Sequence, residues 1–562
     1  MEAAIQILQE LLLPPQELES WLQIIQTALM MQSAATPKIQ SWLSWFFRGL
    51  LLLGMVVIIG RLAELQVIKG AYYRELAEGN RVRRVAIVAP RGKILDKDGV
   101  LLVDNEPVKK TVKFDPLEGY TKGLADENTP EEQTIVEWRR KYIYGPDFAH
   151  ITGYLGEVDA EEVDKVDPEC AHKGARQLGS FVGRGGLEQY YNCRLRGIDG
   201  EELVEVDTMG NRVRTLGRRA PIPGEDVKTS LNYKLQRKVA ETMKGKVGLP
   251  AQAGSVIVTD TIGHVFALYS SPAFDPNEDI SKFLTDTSLP MFNRVIAGTY
   301  HPGSIFKIVT TTAAVEEGKI ESEYTYEDKG VISIDEFQYN NWYFTQYGGT
   351  EGVINVVRAI ARSTDTFFYE VGSLVGAEAL SNWAKRFGLS EPTGIDLPGE
   401  ASGLVPSPEW KKAVKGERWY LGNTYHMAIG QGDLAVTPLA NHRLAGFVAN
   451  GGKLCDLKLV QEPVCRSLNV SSEVLGLIKE GMRGACDAGG TGVPFFDFSP
   501  DVGCKTGTAE TSVKDETHAW FTVFAPLDNP EYVITVLVEK GGEGSKVAAP
   551  IAREIADFIF HP

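Results

Sequence analysis

From Ile39 to Gly60 the chain carries its most hydrophobic stretch, interrupted only by Arg48, with Trp42 and Trp45 close to its start. At about 1.5 Å of rise per residue such a helix reaches across the hydrocarbon of a bilayer, with Arg48 snorkelling and the Trp side chains at one interface. The pattern predicts a retained single-span anchor over 39–60, with a buried core helix as the competing reading. A cleaved signal peptide fits less well, because the segment lies far from the N-terminus and no small-residue cleavage site follows it. Before the anchor, apolar and acidic positions alternate (Ile5, Leu8, Leu11 and Leu12 against Glu2 and Glu10) until Pro14-Pro15 interrupts them. Residues 1–38 are therefore expected to hold two short amphipathic helices, lying on a membrane face or packed on a partner.

Beyond the anchor, residues 61–230 are charged and punctuated by Gly, with short runs that read as strands and turns. The stretch Glu118 to Lys141 is polar and acidic and is expected to be exposed. Gly183-Arg184-Gly185-Gly186-Leu187-Glu188 could pass for a phosphate-cradling loop. It lacks the preceding β-run and the downstream acid of a dinucleotide site, so a structural turn is expected. Near Asn232 the texture changes. Tyr233 to Met243 has helical spacing, Ala253 to Asp260 reads as a buried strand, and Thr261-Ile262-Gly263 turns into a second strand, His264 to Ser270. Val502 to Thr508, Trp520 to Ala525 and Tyr532 to Glu539 follow as strands, and Ala548 to Phe560 as a helix. Strands at both ends with helical material between them predict an α+β domain over 231–562 whose sheet closes its first strands onto its last.

Composition narrows this picture only a little. A chain of 562 residues exceeds one ordinary domain, and a net charge of −16 argues against wrapping nucleic acid or coating an anionic membrane. Six cysteines in so long a chain do not read as a disulfide scaffold. Cys455 and Cys465 are near enough to pair in an oxidising compartment, but buried free thiols are the expected state. No C-x-x-C, H-E-x-x-H or Walker loop is present, so metal and nucleotide chemistry have no support. The flank after the anchor (Arg61, Lys69, Arg74, Arg81, Arg83, Arg84) is more basic than the flank before it (Lys38), which by charge alone would put the large domain in the cytoplasm.

The candidate chemistry starts at Tyr300-His301-Pro302-Gly303-Ser304-Ile305-Phe306-Lys307. A Pro-Gly break followed by the apolar run Ile308 to Ala314 places Ser304 near the start of a buried helix, where free N–H groups favour developing negative charge. Lys307, three residues on, shares a face with Ser304 and can take its proton if a dry, cation-crowded site lowers the amine's pKa. Taken alone, this pair is as well explained by a polar helix start with a surface Lys. Two further elements change the balance: Ser363-Thr364-Asp365 after the helical Val353 to Arg362, and Lys505-Thr506-Gly507-Thr508 inside a strand-like run. Each alone is a helix cap or a strand end. In this order, the three are the set used by penicillin-interacting serine acyltransferases. Ser363 can relay a proton to a leaving amine, and Asp365 can hold Ser363, Lys307 or a substrate amide. Lys505 on an edge strand can receive a terminal carboxylate, Thr506 and Thr508 add hydroxyls, and Gly507 lets a substrate backbone approach. The N–H groups of Ser304 and Thr508 would form the oxyanion hole.

From about Arg61 onward the chain resembles the class B penicillin-binding proteins, monofunctional peptidoglycan transpeptidases. The resemblance is carried by Leu65-Gln66-Val67-Ile68-Lys69-Gly70 with Tyr72-Tyr73, Asn80-Arg81, Ala89-Pro90-Arg91-Gly92 with Ile94 and Asp96, and Gly183, Gly186, Glu188 and Tyr191. It continues in Asn293-Arg294, Gly394 to Glu400, and Ala428-Ile429-Gly430-Gln431-Gly432 with Leu434 and Val436-Thr437-Pro438. Asp365, with Thr366-Phe367-Phe368-Tyr369 and His518-Ala519-Trp520-Phe521, leans towards the elongation-phase branch, penicillin-binding protein 2; the division branch usually has Asn at the first position. The resemblance implies an α+β transpeptidase domain with an antiparallel sheet flanked by helices, preceded by a β-rich pedestal of the dimerisation type and a single transmembrane helix. It implies a stem peptide ending in D-Ala-D-Ala as substrate, β-lactams as inhibitors, and a polytopic glycan-polymerising glycosyltransferase and elongation-complex proteins as partners. It also places the catalytic domain outside the cytoplasmic (inner) membrane, against the charge count. His301 stands where the family usually has Pro, which alters the local turn. The pedestal is short. Residues 305–362 contain neither His nor Cys, so the zinc that some relatives hold there is not expected, nor is any cofactor.

Three alternatives remain at this level. A D,D-carboxypeptidase or β-lactamase would share the motifs but needs a group that activates water for deacylation, and no second carboxylate motif suggests one. A bifunctional enzyme with its own glycosyltransferase would need more than Leu62 to Pro223 offers. A catalytically silent scaffold or penicillin sensor would keep the pedestal and not need the intact motifs.

Overall fold

The computed structural model describes residues 39–115, 119–125, 134–207, 212–247 and 253–561; the amphipathic helices expected in 1–38 lie outside these. The chain divides into two compact units, one running to Arg84 with Leu203–Leu216 added, the other comprising Val85–Glu202 and Gly217 onward. In the first unit, the apolar stretch forms one helix, Ile39–Ala63, with its described side chains exposed along the anchor. Among the described residues it supplies the one segment long and apolar enough to cross a membrane, Trp42–Ile68. The helix continues past Gly60 because Arg61 finds Glu64 at 2.5 Å, so the charge that closes the apolar run does not close the helix.

The first part of the second unit is built on the strand Leu101–Asp115, which pairs antiparallel with Gly119–Leu124 and with Thr134–Tyr142. The acidic region expected to be merely exposed is thus largely sheet, and its charges are matched across strands: Lys110 with Glu137 at 2.7 Å, Arg139 with Glu106 at 3.0 Å. The glycine-rich stretch is a tight strand-to-helix connection: contrary to expectation a strand, Phe181–Arg184, runs into it, and the short helix Gly186–Tyr190 leaves it. A Cβ on Gly183 would lie 1.9 Å from the carbonyl oxygen of Glu188, so the backbones pack too closely for any side chain. The tight turn buries Glu188 completely between Arg91 and Arg140, each at 2.6 Å. Burial pushes its carboxyl up, but the two guanidinium groups more than reverse this and hold it below the usual value.

The second part is the expected α+β domain. Strands β1 (Gly254–Thr259), β2 (Val265–Ser271), β3 (Gly503–Glu510), β4 (Thr517–Ala525) and β5 (Tyr532–Val538) form one antiparallel sheet in the order β2–β1–β5–β4–β3. The first strand therefore lies against the last, and β3 forms an edge. Every position of β1 is buried, as both faces are covered. On one face helices α1 (Tyr233–Val247) and α7 (Ala548–Phe560) bring Leu235, Val239, Met243, Ile551 and Ile555 onto Val256, Val258 and Val536. On the other, α2 (Lys307–Glu316) and α5 (Pro438–Ala449) pack Ile308, Val309, Leu444 and Phe447 against Trp520, Phe524 and Leu537. His442 on α5 is buried between Thr259 (2.9 Å) and Thr535 (2.8 Å), and burial pushes its imidazole down to about 3.

A third core joins this domain to the pedestal region, where Ile257, Val265 and Leu268 meet Ile94, Leu102, Phe148 and Leu187. The same junction explains two of the landmark motifs. Tyr191 donates its hydroxyl to Asp396 at 2.7 Å, and Asp396, fully buried, also accepts the N–H groups of Leu459, Val460 and Gln461.

The cysteines depart from expectation. All six are paired, as Cys170–Cys193, Cys455–Cys465 and Cys486–Cys504. Burial alone suggested free thiols. What sequence spacing could not show is that the fold brings β3 beside helix α6 (Ser472–Cys486), so that Cys504 meets Cys486.

Candidate active site

Three separate pieces of backbone converge beside the edge strand. The first is the turn before α2. Tyr300 is fixed by backbone hydrogen bonds in both directions with Val436, and Gly303, at φ +57°, donates its N–H to Gly430 at 3.0 Å. A Cβ on Gly430 would lie 2.2 Å from the Gly303 carbonyl, so only glycine lets these segments touch. The predicted helix start is a 3₁₀ turn, Gly303–Phe306, and α2 proper begins at Lys307. Ser304 is half-buried, and Lys307 is fully buried.

The second piece is the end of α3 (Val356–Arg362), shorter than expected because residues 352–355 form a strand. Ser363 closes the helix in the left-handed region, φ 56° and ψ 38°, a conformation costing a non-glycine residue about 1–3 kcal/mol. That turn brings both its oxygens to Lys307, whose Nζ donates to Ser363 O at 2.8 Å and to Ser363 Oγ at 3.2 Å. Asp365 opens α4 (Asp365–Val375) and accepts from Lys307 Nζ at 2.7 Å through Oδ1.

The third piece is β3. Lys505 Nζ donates to the same Ser363 Oγ at 2.9 Å and to Thr506 O at 3.0 Å. Ser363 Oγ thus sits between two lysine Nζ atoms, an arrangement suited to passing a proton. Burial lowers the pKa of Lys307, with Asp365 working in the opposite direction. Burial and the charge of Lys307 together push Lys505 well below the ordinary lysine value. The dry, cation-crowded site expected of a lysine base is present.

Some expected details differ. Among the described residues no hydrogen bond joins Lys307 to Ser304; the amine is taken up by Ser363 and Asp365. Lys505 is fully buried and turned inward on the Ser363 hydroxyl. Gly507 is required by packing: a Cβ there would lie 2.9 Å from Cβ of Trp520 on β4. Thr506 bonds to Thr491 at 2.9 Å, and Thr508, exposed like Glu510 at the end of the strand, has Gly303 close against its backbone. The Ser304 turn and Thr508 are therefore neighbours, as an oxyanion hole between their N–H groups requires.

Sequence reasoning assigned no role to two supports. Gln431 bridges the edge strand, donating to Thr508 O at 3.1 Å and accepting from Glu510 N at 3.3 Å. Its motif was legible, its task was not. Asn341 and Trp342 reach Asp365 through backbone and side-chain bonds, and no pattern in the chain announces them.

An α+β sheet with a Ser-x-x-Lys turn, a Ser-x-Asp turn and a Lys-Thr-Gly edge strand on one buried centre defines the penicillin-interacting serine acyltransferases. The family model "Penicillin binding protein transpeptidase domain" matches residues 254–557, and "Penicillin-binding Protein dimerisation domain" matches 124–229. The peptidoglycan D,D-transpeptidase MrdA of Haemophilus influenzae is 30% identical, over 92% of this chain and 91% of its own. Among solved structures, a complex between penicillin-binding protein 2 and MreC from Helicobacter pylori shares 25% identity at a TM-score of 0.73, covering 85% of this chain and 99% of that one. A structure described as coordinating polymerization and crosslinking by a peptidoglycan synthase complex shares 29% identity at a TM-score of 0.72, covering 93% and 98%. The chain belongs to the penicillin-binding protein transpeptidase family, in its class B form with a dimerisation-type domain, and is most like penicillin-binding protein 2.

Proposed function

We propose that this chain is a peptidoglycan D,D-transpeptidase that cross-links stem peptides during cell-wall elongation through an acyl-enzyme on Ser304. The observation that carries the reading is the buried centre in which Lys307, three residues after Ser304, and Lys505 both donate to Ser363 Oγ. Ser304 Oγ attacks the penultimate D-Ala carbonyl carbon, and its proton passes to Lys307 Nζ. The C–N bond to the terminal D-Ala breaks as that nitrogen takes a proton through Ser363. An amine of a neighbouring stem peptide then attacks the ester, and Ser304 Oγ recovers its proton. Asp365 orients Lys307; Lys505 with Thr506 and Thr508 forms the side that receives the substrate carboxylate, and Gly507 keeps the strand close to the nucleophile turn. β-Lactams would acylate the same serine.

The chain reads as a 1–38 extension, a 39–60 anchor, a 61–230 pedestal and a 231–562 transpeptidase domain. Three disulfides support a location of the catalytic domain in an oxidising space outside the inner membrane, against the positive-inside count. The solved complexes of its relatives support partners of the elongation-complex and glycan-polymerising kind. A time course of fluorescent penicillin on the full-length protein tests the reading. Label is expected on wild type, persisting for many minutes, and absent from Ser304→Ala. Label lost within seconds would point to a β-lactamase, and equal label on both would remove Ser304 from the chemistry.

A further inference from the structure

Between Ser304 and Ser363 the chain forms two small strand pairs, Thr325–Asp328 with Gly352–Asn355 and Val331–Ile334 with Phe337–Asn340, and the short helix Trp342–Tyr347. At their base lies one buried carboxylate, Asp328. Its Oδ1 accepts from Gly330 N at 2.9 Å and Thr366 Oγ1 at 2.6 Å; its Oδ2 accepts from Asn341 Nδ2 at 3.1 Å and Glu351 N at 2.8 Å. Asn341, fully buried, uses its other amide atom, Oδ1, to accept the N–H of Asp365 at 3.1 Å. The next N–H, that of Trp342, goes to Asp365 Oδ2 at 3.2 Å, which leaves Oδ1 for Lys307 at 2.7 Å. Asp365 is therefore gripped at its N–H, at its far oxygen and through its neighbour Thr366; the first and third of these grips lead directly to Asp328, and the second comes from the residue after Asn341.

We propose that Asp328 and Asn341 are positioning residues for acyl transfer, holding the Asp365 carboxylate in register with Lys307. The proposal rests on Ser304 and Lys307 serving as nucleophile and base. Lys307 faces two charged groups, Asp365 from α4 and Lys505 from β3. If Asp365 swings away, the ammonium loses its counter-charge, so the free amine forms at lower pH; the amine also loses its alignment on Ser363. Misplacement of this kind costs a reaction about ten- to a hundredfold.

The test is the rate of penicillin acylation of the full-length protein as a function of pH, with melting temperature recorded for each variant. Asp328→Asn turns an amide N–H₂ towards a donor, and Asn341→Asp sets one carboxylate against another. The double substitution restores one donor and one acceptor across that contact. Each single variant is expected to acylate about ten- to a hundredfold more slowly, with the acid limb moved to lower pH, and the double to recover at least about half of the loss on a logarithmic scale. Rates within about twofold of wild type, or losses with an unmoved limb and no recovery in the double, would overturn the proposal. If a single variant does not fold, Thr366→Val, which removes one hydroxyl, must still move the limb. Lys307→Ala separates the two readings: acylation that survives there refutes the catalytic assignment itself, whereas a dead Lys307→Ala beside unaffected Asp328 and Asn341 variants refutes the positioning role alone.

Discussion

Glu188→Gln exchanges one atom without changing volume, yet it should destabilise the pedestal region by about 3–5 kcal/mol. Glu188 is fully buried, and the Arg91 and Arg140 side chains that meet it are only 9% and 4% exposed. Each carboxylate oxygen takes one guanidinium at 2.6 Å. A Gln amide must turn its N–H₂ towards one of them, so an attraction becomes a donor–donor contact while two buried cations lose their counter-charge. The remaining acceptors, Asn192 Oδ1 and the Glu188 backbone carbonyl on Arg91 and Asn105 Oδ1 on Arg140, are neutral. Thermal unfolding of the full-length protein is the assay. For the compact unit that holds Glu188, Val85–Glu202 with Gly217 onward, the loss corresponds to a fall of about 3–5 °C in its transition. Replacing all three residues by apolar ones of similar volume should recover much of it, because the penalty lies in the unpaired charge. The carboxyl is held below its ordinary 4.5, so its contribution is present above that value and lost as pH falls through the lower folded one. Glu188→Gln should therefore flatten the acid dependence of stability. A shift worth less than about 1 kcal/mol would refute the reasoning, since it would mean that water or other acceptors already serve both guanidinium groups.

Two further outcomes follow from the same geometry. His442 and His150 are buried neutral, with imidazoles pushed by burial to about 3 and about 4. The unfolded chain takes up these protons first, so stability should be full above pH 6.5 and fall between there and about pH 3, the His150 part being spent by about pH 4; denaturant midpoints at pH 7 and pH 5 will show it, and equal midpoints would place both rings in contact with water. Gly507→Ala puts a methyl 2.9 Å from Cβ of Trp520, which pushes the edge strand away from the Ser304 turn; penicillin acylation is expected to fall about tenfold or more, and an unchanged rate would mean that this close packing is dispensable.

Much of this was readable from the chain because it is local. Helix Ala548–Phe560 follows from an apolar residue at every turn, and β1 from a short run covered on both faces. The order Ser304, Ser363, Lys505 is likewise local at each motif and needs no fold to be noticed. The misses were all long-range. Cross-strand pairing made sheet of an acidic stretch, and the fold joined all six cysteines, of which spacing had offered only Cys455 with Cys465 as a pair. Gly507 was expected to let a substrate backbone approach, and its missing side chain also makes room for Trp520, directly opposite on the neighbouring strand.

The sequence by itself determined the candidate chemistry, because side-chain type and motif order are written in it: Ser304 with Lys307, Ser363 with Asp365, and Lys505. The tertiary structure decided how those groups address one another. Lys307 lies 56 residues from Ser363 along the chain, and Lys505 lies 142 from it, yet both reach one oxygen within 3.2 Å. That meeting depends on a left-handed turn at Ser363, on an inward-facing edge strand and on a carboxylate at Asp328 that holds the intervening segment. Burial then lowers both amines, and burial is a property of the packed core, since no single stretch of chain can exclude water from itself.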